Sequence, residues 1–159
     1  MHRIVTIAAF VAAAFTLSAH AVSAAPPAVL APIAAFVRTS NAGDRAEFLK
    51  LFTPDATVVD NFAPYRFTPP NGPAKWYDGF NADAAASGST DGVISTRAPK
   101  YVRVTGDRAW IVMPTDYRYK LKGTPELETG SLVFTESRVH GTWLITSMSW
   151  AEFSDTGFP

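Results

Sequence analysis

The sequence of 159 residues has room for one domain and a targeting segment, but not for two comfortable domains. Apolar residues make up 47% of the chain and aromatics 13%, with no net formal charge, which excludes disorder for the body of the chain. There is no Lys/Arg patch, which argues against nucleic acid as a partner, and no cysteine, which removes disulfides, thiolate chemistry and Cys-based metal sites.

His2 and Arg3 give a short polar, positive start, and residues 4–17 are almost unbroken apolar sequence. Small residues follow over 18–25, the pattern a signal peptidase requires. Cleavage after Ala24 or after Ala21 fits that pattern. Residues 1–24 are therefore expected to be a cleaved signal peptide, and the mature protein to be secreted or periplasmic. The apolar run falls short of the roughly 20 residues that a membrane span needs, so no span is expected after processing. Removal of Arg3 leaves 13 basic residues against 14 acidic ones, a charge of −1.

One domain is expected over residues 26–155, helical first and strand-rich afterwards, which implies an α+β fold with helices on one face of an antiparallel sheet. Val29, Ile33 and Phe36 share one helical face, with Leu30 and Val37 beside it. Asn41-Ala42-Gly43 supplies the left-handed stop, and Asp44 with Glu47 forms a capping box for a second helix. Phe48, Leu51 and Phe52 give that helix its apolar side, and Thr53-Pro54-Asp55 ends it in a turn. Residues 56–60 read as a strand and the proline-rich residues 61–72 as a loop. Pro73 opens a third helix with Trp76 and Phe80 on its apolar face, and residues 87–92 are flexible by composition.

From residue 98 the pattern turns to hairpins. Strands are expected at 100–104, 108–121, 127–139 and 142–153, with turns at Thr105-Gly106-Asp107, at 122–125 and at His140-Gly141. In the last strand Trp143 and Ile145 point one way, while Leu144, Met148 and Trp150 point the other. Apolar residues on both faces call for a second cover, and the simplest is a homodimer through the outer sheet face.

Two of the three histidines lie in the signal segment and His140 sits in a hairpin turn, so histidine-based catalysis and histidine metal sites have nothing to build on. No glycine-rich phosphate loop follows a strand. No metal and no cofactor is expected. Carboxylates, tyrosines and waters would have to carry any chemistry.

Asn41-Ala42-Gly43-Asp44, followed by Phe52-Thr53-Pro54-Asp55-Ala56-Thr57-Val58-Val59-Asp60, resembles the opening of the nuclear-transport-factor-2-like superfamily. The SnoaL-like polyketide cyclases and the ketosteroid isomerases belong to that superfamily. Gly106-Asp107-Arg108-Ala109-Trp110 and Gly141-Thr142-Trp143-Leu144-Ile145 are also similar to its later hairpins. The resemblance implies a cone-shaped fold in which N-terminal helices and a curved sheet enclose a pocket. It places Asp60 where the isomerases keep a proton-shuttling aspartate, and a carboxylate at the rim of an apolar pocket has the raised proton affinity that such work needs. The isomerases' tyrosine on the first helix is replaced here by Phe36, and Ser131-Leu132-Val133-Phe134 offers only a serine where they carry a protonated acid. Losing one such donor costs roughly 10²–10³ in rate, which argues against that particular isomerase.

The sequence thus leads to an exported protein that binds a small, largely apolar molecule. Phe36, Phe52, Tyr65, Trp76, Phe80, Asp116, Phe134 and Trp150 are the candidate ligand-binding residues, and Asp60 is the candidate catalytic one. Asp60 would act alone or with a partner such as Tyr65, Arg66, Tyr117 or Asp116. Two alternatives stay open: a lyase, cyclase or isomerase with Asp60 as general base, and a non-catalytic dimeric interaction module.

Overall fold

A computed structural model describes residues 26–155, so the expected signal peptide lies outside the described residues. Helix α1 (Pro27–Ala42) starts with a proline in its first turn and buries Val29, Ile33 and Phe36 on one stripe. Gly43, at φ 68°, terminates it in the left-handed conformation, with its N–H donating to the Ser40 carbonyl at 3.1 Å. Asp44 then caps α2 (Arg45–Leu49) by accepting from the Glu47 amide at 3.1 Å. Only half of the expected capping box forms. The Asp44 amide already donates to the Thr39 carbonyl at 2.9 Å, and the Glu47 carboxylate pairs with Lys50.

Strand β1 (Phe52–Val59) begins earlier than its sequence suggests, and the expected turn at Thr53-Pro54-Asp55 lies inside it. The Leu51 carbonyl accepts from the Ile145 amide at 2.8 Å, and Phe52 stands beside Ile145. This tertiary pairing draws Leu51 and Phe52 off the second helix. Pro54 cannot donate to a ladder, and the register slips between Phe52 and Thr57. After β2 (Arg66–Phe67) comes α3 (Gly72–Ser87), whose first residue lies so close to the Ala56 and Phe67 carbonyls that any side chain there would collide with them.

The remaining strands are β3 (Ser89–Thr96), β4 (Tyr101–Thr105), β5 (Arg108–Leu121), β6 (Thr124–Val139) and β7 (Thr142–Asp155). The sheet runs β2-β1-β7-β6-β5-β3, with β4 also paired to β5. All pairs are antiparallel except β1 with β7, so the sheet is mixed rather than purely antiparallel. Residues 89–92, expected to be flexible, belong to β3. Ordered pairing to β5 outweighs their loop-like composition, and Asn41 adds a clamp. Its side-chain amide donates to the Ile94 carbonyl and accepts from the Ile94 amide, both at 2.8 Å, as a neighbouring strand would.

One irregularity changes which residues face the core. Between Thr135 and Glu136 the β6–β7 register shifts, and Thr135 meets both Thr146 and Ser147 through its hydroxyl. The extra residue on β7 resets the alternation. Met148 and Trp150 therefore join Trp143 and Ile145 on the inner face, instead of standing opposite them.

The inner face carries a buried acid. Glu136, 1% exposed, lies between Ala109 and Ile145 in the sheet, and among the described residues neither of its carboxyl oxygens has a hydrogen-bond partner. Burial pushes its pKa up to about 8. From the ordinary glutamate range up to about pH 8, the unfolded chain has lost a proton that the folded chain keeps. Stability therefore falls as pH rises through that window, by up to about 1.4 kcal/mol per unit, and levels above it. Glu136→Gln, which copies the neutral acid, should flatten this slope and raise the thermal midpoint at pH 8 more than at pH 5. Equal shifts at the two pH values in melting curves would show that Glu136 is not the titrating group.

Candidate functional site

Aromatic rings gather where α1, α2 and α3 meet the sheet. Phe36 contacts Phe48, Phe52, Trp76 and Phe134 with centroid distances of 5.4, 6.4, 6.1 and 5.4 Å. Trp76 stacks between Phe48 at 5.6 Å and Phe80 at 5.5 Å, and Phe80 meets Tyr117 edge-on at 5.7 Å. Each such pair contributes about 0.5–1.5 kcal/mol beyond its buried area, so the cluster is a rigid wall.

Between this wall and the inner face of β5, β6 and β7 lies a hollow of about 420 Å³, its open mouth included. Its surface is mostly apolar, formed by Phe36, Trp76, Phe80, Ile94, Leu132 and Trp150. Asp60, Asn61, Thr115, Tyr117 and Glu128 supply the polar groups. Two glycines make room for the large rings. A side chain at Gly92 would strike the Tyr117 phenol, and one at Gly130 would strike the Trp150 indole.

Asp60 follows the last residue of β1 and is 9% exposed. One carboxyl oxygen accepts from the Trp76 indole N–H at 2.6 Å and the other from the Asn61 amide at 2.7 Å. Its own amide donates to the Tyr65 carbonyl at 3.1 Å, which closes the following loop. Burial raises its pKa above the ordinary aspartate value, while the two donors oppose that rise and the negative charge of Asp83 adds to it. Asp60 therefore fixes the loop and α3 as well as facing the hollow.

On the opposite side Tyr117 is held as a neutral phenol, its pKa pushed up to about 12 by burial and by the charge of Glu128. It is a hydrogen-bond donor at any physiological pH. The Thr115 hydroxyl donates to the Met113 carbonyl at 2.8 Å, leaving its oxygen able to accept. A buried carboxylate, a phenol donor and an apolar wall thus converge on one space, an arrangement able to hold an apolar molecule and to exchange a proton with it.

Of the residues singled out in the sequence, Asp60, Phe36, Trp76, Phe80 and Trp150 line this hollow. Phe52 and Phe134 do not; both are buried behind Phe36 as part of the core. Tyr65 is 62% exposed on the loop after Asp60, at φ 67°, and Arg66 beside it is also exposed. Asp116 points to the outer sheet face, where Arg97 and Arg118 lie within 3.4 and 3.5 Å of its carboxylate. It alternates with Thr115 and Tyr117 along β5, and strand parity in the sequence already separates those faces. Glu128 and Asn61 are polar lining residues that the sequence reading left out. Glu128 is the partner of Tyr117 across the hairpin, a register that hairpin length alone could have supplied.

No protein-family model and no curated protein matches the sequence. Solved structures do match the fold. Hexachlorocyclohexane dehydrochlorinase LinA-type3 from Novosphingobium barchaimii LL02 superposes with a TM-score of 0.70 at 11% identity, covering 82% of this chain and 87% of that one. A ketosteroid isomerase-like protein from Erwinia carotovora atroseptica SCRI1043 gives 0.64 at 15% identity, over 80% and 95%. An NTF2-like protein with a cystatin-like fold from Novosphingobium aromaticivorans gives 0.65 at 18% identity, over 80% and 81%. At these identities the likeness is one of architecture, and the chain has the nuclear-transport-factor-2-like fold, a helical layer closing a curved sheet into a pocket.

Proposed function

We propose that this is an exported protein that holds a small, largely apolar molecule in the hollow beside Asp60. The observation that carries this reading is the meeting of a buried carboxylate and a neutral phenol inside an aromatic-walled space. Apolar walls with a few converging polar groups are the usual form of a small-molecule site. Native mass spectrometry of the protein purified from its own host should show a bound small molecule. Leu132→Trp, which fills the hollow, should lose it. A wild-type protein free of any adduct, or a variant that keeps the adduct, would count against the site.

A second reading is favoured by the raised proton affinity of Asp60 and by Tyr117 as a donor across the hollow. Asp60 is then the general base of a lyase, cyclase or isomerase, and Tyr117 steadies the charge that develops on the substrate oxygen. Names among the structural neighbours, a dehydrochlorinase and an isomerase-like protein, are compatible with proton abstraction from carbon. The bound molecule, returned to the protein in deuterated water, should take up deuterium at carbon. The rate should rise with pH through the titration of Asp60 and fall by at least about 10²-fold in Asp60→Asn. Uptake unchanged in that variant removes Asp60 from the chemistry.

The outer sheet face is proposed as a homodimer contact. It still carries Tyr101 and Trp110, 55% and 42% exposed and stacked at 6.3 Å, with Val112 and Val133 beside them. Light scattering on the mature protein should give twice the chain mass at micromolar concentration, and Trp110→Glu should halve it. A monomeric wild type rejects the contact. Export rests on the N-terminal sequence pattern. The intact mass of the protein recovered from the cell envelope or medium should place its first residue at Ala25 or Val22, and a mass that includes residues 1–21 would contradict cleavage.

A further inference from the structure

A second groove, of about 730 Å³ with open solvent included, lies between the end of α1, one side of α3 and the first half of β3. Trp76, Phe80, Ile94 and Tyr117 border both this groove and the main hollow. The groove follows from an irregular stretch of β3. Its register against β5 slips between Thr90 and Val93, and Asp91 within the slip takes φ 57°. The Asn41 side chain gathers the strand again at Ile94. Gly92, also within the slip, lies directly against the Tyr117 phenol, where any side chain would collide. Bulges of this kind re-aim side chains and are frequent beside functional sites.

The two spaces differ in chemistry. Beyond the shared rings, the groove is lined by the hydroxyls and amides of Ser40, Asn41, Tyr77, Asn81, Ser89 and Thr90. Part of that capacity is used locally, since the Asn81 amide donates to the Tyr77 carbonyl at 2.8 Å and Ser89 shares a hydrogen bond with Ser87 at 3.0 Å. The Ser40 hydroxyl is shielded from water and has no hydrogen-bond partner among the described residues. Asp91 carries the one formal charge among the described lining residues, and Lys120 pairs with it at 2.9 Å. An apolar group seated here would cover hydrogen-bonding groups without satisfying them, which costs free energy. An ionic group would have to displace Lys120 or stand beside a charge already paired. A hydroxyl both donates and accepts, so it suits a wall that mixes the two.

We propose that this groove is a second subsite, and that the molecule held in the hollow carries a short hydroxylated end that passes between Phe80 and Tyr117 into it. The apolar body packs on the rings of the hollow, and the hydroxyls exchange hydrogen bonds with the side chains of α1, α3 and β3. This rests on the reading of the hollow as a binding site and narrows the class of its occupant to an aryl or alkyl compound with a polyol-like tail. Phe80 and Tyr117, which meet edge-on at 5.7 Å, form the partition that the tail must part. Side-chain rotation, with no change in the backbone, is enough for such a passage.

The test uses two probes of one shape, naphthyl glyceryl ether and naphthyl propyl ether, which differ only in two hydroxyls. Both are titrated by calorimetry against the mature wild-type protein. In an apolar hollow alone the propyl ether binds more tightly, because its tail is cheaper to remove from water. With the groove in use the order reverses. Two hydrogen bonds, each worth about two- to tenfold, should favour the glyceryl ether by at least about fivefold. Asn81→Trp and Thr90→Trp fill the groove from opposite sides at exposed positions that do not border the hollow. Each should abolish the preference and leave propyl ether binding within about twofold, while Leu132→Trp should lose both probes. A wild type that holds the propyl ether as tightly as the glyceryl ether, or more so, overturns the subsite and leaves the hollow in place. A preference that survives both groove variants overturns it too, as does glyceryl ether binding that survives Leu132→Trp. Failure of both probes to bind the wild type removes the hollow as a binding site and the subsite with it.

Discussion

The hydrogen bond of 2.6 Å from the Trp76 indole to the Asp60 carboxylate joins the helical layer to the sheet, and most of the site depends on it. Neither group could be buried alone. An unpaired indole N–H or carboxylate costs about 1–3 kcal/mol or more once removed from water. Paired, they fix the rotation of the Trp76 ring, and that ring sets where Phe36, Phe48 and Phe80 can pack. The other Asp60 oxygen holds the Asn61 amide, so the loop after β1 is tied to the same point. One carboxylate thus places a wall of the hollow and closes its edge, and it borders the space between.

The sheet contributes curvature. Two register shifts on the β6–β7 pair, at Thr129/Gly130 and at Thr135/Glu136, bracket the segment that carries Leu132 and Phe134. Bulges increase local twist and bend the strand. The second shift also turns Met148 and Trp150 inward, so a strand with apolar residues in both phases buries most of them on one side. Gly130 lets the Trp150 ring cross the sheet beneath it, where any side chain would be in the way. The hollow is what remains between a bent sheet and the ring cluster around Trp76.

Much of this was legible in the sequence because it follows from local rules. The helical stripe of Val29, Ile33 and Phe36, the left-handed stop at Gly43 and the Asp44 cap are short-range features. So are the Thr105-Gly106-Asp107 and His140-Gly141 turns, in which Gly106, His140 and Gly141 take positive φ. The location of Asp60 at the end of a β-branched run was legible in the same way. What the sequence hid was long-range. Nothing near Phe52 announces that it pairs with Ile145 more than ninety residues away. The order of β3 depends on an Asn41 side chain fifty-three positions earlier. Phe52 and Phe134 look like pocket aromatics by type, yet Phe36 stands in front of both, and only packing decides which ring meets the open space.

The two buried acids of the inner face show why Asp60 rather than Glu136 is suited to chemistry. Both are removed from water, and burial alone would keep both protonated. Among the described residues no donor reaches Glu136, only burial acts on its pKa, and it is neutral below about pH 8. Asp60 has two N–H groups aimed at its oxygens, which lower the energy of its anion and partly cancel the desolvation. Its anion is therefore held by two donors and borders the hollow, whereas that of Glu136 is held by no donor among the described residues. A group that is to take and return a proton needs both that support and that access. Donors close to the carboxyl group, more than its depth in the protein, separate the reactive acid from the silent one.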